Sequence, residues 1–96
     1  MDRSQAWRDY FEQWPEDVRR RGVLVTQFGE QIPFAGFRTH PALLLLERGA
    51  PDPMGARMVV LPYPQIAALK ITDPLTAAAT DALGFKSGTA TAAKKR

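Results

Sequence analysis

Arg57-Met58-Val59-Val60-Leu61-Pro62-Tyr63-Pro64-Gln65-Ile66-Ala67-Ala68-Leu69-Lys70-Ile71 is the stretch on which the fold turns. Residues 57–61 have the apolar, β-branched composition of a strand, and Pro62 and Pro64 stop it because neither has an N–H to give to a ladder. Two prolines around one tyrosine leave room for a single turn at 63–65. A second apolar run, polar only at Lys70, then reads as a short last strand over 66–71.

Upstream, residues 48–56 (Arg-Gly-Ala-Pro-Asp-Pro-Met-Gly-Ala) form a clear turn region. It follows a strand over 42–47 whose four leucines, 43–46, are apolar at both parities. Both faces of that strand are therefore expected to be buried, the outer one beneath an N-terminal helix, a second subunit, or both. A polar break at Arg38-Thr39-His40-Pro41 separates it from the alternating segment 31–37, which places Ile32, Phe34 and Gly36 on one face. Pro33 there implies a bulge or an unpaired edge position, and Gly36 a bend or a close approach. Gly29 marks a tight turn back to a first strand over 22–26. The expectation is a mainly β protein with five strands over residues 22–72.

The flanks read as helical. In residues 2–21, Trp7, Tyr10, Phe11, Trp14 and Val18 lie on one helical stripe, and Pro15 should end or kink the helix at Trp14. Pro15 also suits the start of a second short helix, with Glu16 and Asp17 in its first turn, Arg19, Arg20 and Arg21 at its end, and Gly22 as a left-handed cap. The arginines then either complement a helix dipole or form a phosphate-contacting rim. Downstream, Asp73-Pro74 and Gly84 bracket a short helix over 73–85, and 86–96, small, polar and basic, is expected to be a disordered tail.

Taken in order, the helix, five strands with two hairpins and the Tyr-centred turn resemble a small Sm-like barrel, of the SH3-like type. Residues 23–47 and 57–71 are similar to the bacterial RNA chaperone Hfq and its Sm-like relatives: the turn glycine Gly29, the segment Phe34-Ala-Gly-Phe37, the apolar strand ending in Glu47, and Val59-Val-Leu-Pro-Tyr-Pro-Gln-Ile-Ala-Ala-Leu69. The resemblance implies a closed homo-oligomeric ring of six or seven copies, a hexamer as the first expectation. Unpaired apolar edges on the fourth and fifth strands agree with such head-to-tail closure. The family's RNA residues carry over poorly. Its Tyr-Lys-His turn reads Tyr63-Pro64-Gln65 here, so the tyrosine stays while the cation and imidazole are gone. The pair that sandwiches uracil falls near Pro41 and Ala42, which cannot stack a base. The Asp-x-x-Met-Asn and Arg-Gly-Asp/Asn signatures of other Sm proteins are absent.

Composition narrows the chemistry. The chain has 96 residues, enough for one domain, and a net charge of +3. Residues 1–85 carry nine basic and ten acidic side chains, whereas 86–96 add Lys86, Lys94, Lys95 and Arg96 and no acid. The basic character thus belongs to the tail. With no cysteine, one histidine and serines only at positions 4 and 87, no nucleophilic triad, metal-ligand spacing or phosphate loop is legible, so the chain is not expected to be an enzyme or to hold a cofactor. No apolar run is long enough for a membrane span, and the mixed-charge N-terminus reads as cytoplasmic.

Two functional readings remain. One is single-stranded RNA binding, with cations and stacking faces drawn from Arg19, Arg20, Arg21, Phe28, Arg38, His40, Tyr63 and Gln65. Phe28, at a hairpin tip, either stacks on a base or packs between subunits. Tyr63 is either a structural hydroxyl or a pore-lining contact, and His40 either an ordinary loop residue or a ring-face contact. The other reading is a structural or adaptor oligomer that captures protein partners through the N-terminal aromatic stripe.

Overall fold

A break in one strand decides the architecture. The computed structural model describes residues 2–86, and in it the alternation begun at Gln31 stops at Ala35. β1 (Gly22–Thr26) is the centre of one antiparallel sheet, flanked by β2 (Gln31–Phe34) and β6 (Ile66–Ile71). β3 (Gly36–Thr39), β4 (Leu43–Glu47) and β5 (Met58–Pro62) form a second, in that order. Phe34 still pairs with Gly22 of β1, but the Ala35 N–H donates to the Glu47 carbonyl at 2.7 Å, which hands the chain over to β4. The single strand expected over 31–37 is therefore two. The described residues form a mainly β unit of two three-stranded sheets with an N-terminal helix, and not the closed five-stranded barrel that was expected. β5 and β6, joined only by the turn Tyr63–Gln65, each end a sheet without a ladder between them.

The hand-over also changes which side chains are buried. Uninterrupted alternation would bury Gly36 beside Ile32 and Phe34; the bend shifts the parity by one residue, and Phe37 is buried instead. Leu24, Ile32 and Phe34 from the first sheet meet Phe37, Leu44, Leu46 and Leu61 from the second. β4 alternates after all: Leu44 and Leu46 are fully buried, while Leu43 is exposed and Leu45 half-buried. Of the two covers expected for the outer face of 43–46, the helix does not supply one: it packs on Phe37 instead. Pro33 lies opposite Val23 on β2, an edge strand. Antiparallel ladders alternate bonded and unbonded pairs, and with Thr26 bonded to Glu30 the 23–33 pair falls on the unbonded side. The missing N–H costs nothing there.

α1 (Arg3–Glu12) is capped by Asp2, whose carboxylate accepts from the Gln5 N–H at 2.7 Å. Its stripe ends in Phe11 and, just past the helix, Trp14, which meet the Phe37 ring edge-on at 5.0 and 5.1 Å. Each such aromatic pair adds about 0.5–1.5 kcal/mol beyond area burial.

The second helix expected over 15–21 does not form. Pro15 to Val18 is one turn, closed by the Val18 N–H on the Pro15 carbonyl, and the Trp14 indole N–H takes the Val18 carbonyl at 3.1 Å. A helix this short does not by itself repay its nucleation cost. Gly22 is accordingly no helix cap. It opens β1, where a Cβ would sit 2.5 Å from the Lys70 carbonyl oxygen, so it permits close strand approach. At the other end, Thr76 and not Asp73 caps α2 (Ala77–Ala82), its hydroxyl accepting from the Ala79 N–H. Of the expected basic tail, 87–96 lies outside the described residues.

Candidate nucleic-acid interface

The β1–β2 connection is built to hold its tip still. Gly29 has φ of 85°, a left-handed conformation open to glycine at no steric cost. The Thr26 N–H donates to the Glu30 carbonyl at 2.9 Å, and the Thr26 hydroxyl accepts from the Glu30 N–H at 3.1 Å. Gln27 then fastens the tip to the neighbouring turn: its N–H donates to the Gln65 carbonyl at 2.8 Å and its side-chain amide to the Ile66 carbonyl at 3.1 Å. On this clamped backbone Phe28 is 90% exposed. Among the described residues none pairs with its ring.

Tyr63, beside Gln65, is the reverse case. Its ring is among the most deeply buried, and its hydroxyl donates to the His40 carbonyl at 3.0 Å. Burial, the largest influence, raises its pKa above the ordinary value. A buried phenol that ties a turn to a distant loop is a structural hydroxyl. His40 is exposed, and its Nδ1 accepts from the Ala42 N–H at 3.0 Å, an arrangement that puts the neutral ring's proton on Nε2. The imidazole thereby shapes the 40–42 turn and leaves Nε2 facing outward.

An open cleft of about 460 Å³ runs between α1 and this turn, lined by Gln5, Arg8, Pro41, Ala42, Tyr63 and Pro64. Its one aromatic lining residue is Tyr63, only 1% exposed, so the cleft has no free ring to stack a base. Arg8 spans its wall, donating to the Pro41 carbonyl at 3.2 Å.

The arginines are largely claimed by the fold. Arg20 lies over the Phe37 ring, 4.8 Å from its centroid, closing the aromatic cluster from outside. Arg21 pairs with Asp73 through two nitrogens, Nη2 at 2.6 Å and Nε at 2.8 Å. Arg38 stands 3.7 Å from Glu47, both partners open to solvent. Only Arg19 of the triplet is exposed without an ion pair or ring partner among the described residues. The structure thus brings Phe28 and Gln65 together at one end, with Tyr63 and His40 joined beside them. It does not bring the arginine triplet into one cationic patch.

Two features escaped the sequence reading. Gln27 clamps the tip, and only side-chain geometry could reveal that. The outer face of β4 and β5 leaves Leu43 and Val60, with Met58 beside them, exposed at 37%, 56% and 58%. The parity of the apolar residues in 57–61 carried a signal for this, had it been read beside 43–46. Among the described residues no three acidic or histidine side chains gather to hold a metal ion, and no helix is long and apolar enough to cross a membrane. Comparison of the chain with family models, with curated proteins and with solved structures finds no match.

Proposed function

We propose that the chain is a non-enzymatic, cytoplasmic subunit of an Sm-like, Hfq-related ring that binds single-stranded RNA at the β1–β2 tip rather than in the family's uridine pocket. The ring part is supported by the strand order: β2-β1-β6 and β3-β4-β5, with one continuous segment crossing between sheets at Ala35. It is supported too by the open edges of β5 and β6, mostly apolar apart from Pro62 and Lys70. Pairing β5 of one copy to β6 of the next would satisfy both edges and cover Met58 and Val60.

The observation that carries the RNA part is Phe28, an exposed ring on a backbone clamped by four hydrogen bonds. A base can stack on it without any ordering of the protein, and stacking accepts every base. Titration of labelled oligo-U, oligo-A and mixed RNA at two salt concentrations tests this reading. Saturable binding that weakens with salt supports it, and no detectable binding at the lower salt rejects it. Light scattering at micromolar concentration tests the ring separately. There the wild type should exceed the 10.7 kDa of one chain, and Val60→Lys, at an exposed edge position, should return it to a monomer.

A second reading, an adaptor oligomer without RNA recognition, is favoured by the engagement of Arg20 and Arg21 and the burial of Tyr63. It predicts that assembly persists while every RNA titration stays flat.

A further inference from the structure

We infer that residues 72–86 form a releasable strap, held closed over the aromatic face of α1 by the chain's own Phe85. Its attachments lie at its two ends, with little between. At the start, Asp73 is gripped by Arg21, a pair whose arginine side chain is 46% exposed and whose aspartate side chain is 16% exposed. In the middle, α2 buries a single side chain, Ala79. At the end, Phe85 meets the Tyr10 ring edge-on, with centroids 6.0 Å apart, and forms one wall of an apolar groove of about 290 Å³ with Trp7, Tyr10 and Leu69. Phe85 itself remains 56% exposed.

None of these contacts resembles core packing. An exposed ion pair is weak and screened by salt, and a half-exposed ring gives up only part of its burial. Ordering the strap costs conformational entropy in every residue, so closed and open forms lie close in free energy while the sheets do not take part. Beneath the Arg21–Asp73 pair an open, largely polar cleft of about 400 Å³ separates the strap from residues 17–19, leaving water a path to the ion pair. Opening uncovers Tyr10, Trp7 and Leu69, the same aromatic side of α1 whose other residues, Phe11 and Trp14, are locked into the core.

Amide hydrogen exchange on the full chain tests the strap. Leu83, Gly84 and Phe85 N–H groups are bonded within it, to Ala79, Asp81 and Thr80, and report its closure. In the wild type these amides should be protected, less than those of β1 and β4, and should lose protection as salt rises. Asp73→Asn should speed their exchange by about two- to fivefold, the range for an exposed ion pair. Phe85→Ala should speed exchange at Leu83 and Gly84 by about three- to tenfold, with these amides still less protected than those of β1 and β4. Three results each overturn the inference: no protection of these amides in the wild type, exchange untouched by both substitutions, or protection in the wild type equal to that of β1 and β4.

Discussion

At the β1–β2 tip an aromatic side chain is exposed on a clamped backbone; in residues 19–21 charged side chains are drawn back onto the protein. Both regions look equally suited to RNA in the sequence. Arg20 covers Phe37 and Arg21 holds Asp73, so two of the three arginines already have work in the fold. Phe28 has none, because Gln27 and Gly29 spend the tip's bonding capacity on backbone and leave the ring outside. The contrast teaches that a long flexible cation is easily recruited by the nearest carboxylate or ring. A short rigid aromatic on a tight turn has no such reach.

That contrast can be broken by substitution. The largest effect is expected at Phe28. Phe28→Ala should weaken RNA binding by about 1–3 kcal/mol, roughly five- to 150-fold, while the thermal midpoint stays where it was, since the ring buries almost nothing. Equal affinity in the two proteins would remove the tip from the interface.

Next comes Tyr63→Phe, which tests the turn to which the tip is tied. Losing the bond to the His40 carbonyl should cost about 1 kcal/mol by denaturant unfolding at neutral pH. The pH dependence follows from the sign of the shift. Burial raises the folded-state pKa above the ordinary 10.0, so the neutral form is favoured in the fold. That contribution is complete below pH 10.0 and is lost as pH rises through the folded-state value. Tyr10, raised by burial in the same direction, adds to the loss. Unfolding scans above pH 10.0 should therefore fall less steeply for Tyr63→Phe than for the wild type.

Arg20→Ala and Arg21→Ala sharpen the other half. Each should lower stability by about 0.5–1 kcal/mol, through a lost ring contact and a lost exposed ion pair respectively. The smallest effect belongs to Arg19→Ala, which should leave stability within about 0.5 kcal/mol of the wild type. If it touches RNA at all, the salt dependence of binding should flatten by about one phosphate contact.

Much of the fold was legible because local chemistry writes it. Pro62 and Pro64 around Tyr63 demand a turn, Gly29 sits where φ is positive, and Asp2 begins a helix whose aromatic stripe reaches the core. Failures of reading came where a distant partner overrules local preference. The helix expected over 15–21 loses the Val18 carbonyl to the Trp14 indole, and Asp73, a plausible cap, is taken by Arg21 from across the chain. The strand over 31–37 is cut because Glu47 offers its carbonyl to Ala35. For the candidate site, the sequence offered Phe28 and Tyr63 among eight candidates but could not separate an exposed ring from a buried one.

By itself the sequence determined the N-terminal helix, the order of the strands and the turns at Gly29 and Tyr63, since proline, glycine and apolar alternation act within a few residues. It also determined that the basic excess lies in 86–96 and not in the body. Only the tertiary structure decided that the chain divides into two sheets and which of eight candidate side chains remain available. Availability depends on what a side chain can reach in space. Arg21 and Asp73 lie 52 positions apart, and Tyr63 and His40 lie 23 apart, distances over which no local pattern carries information.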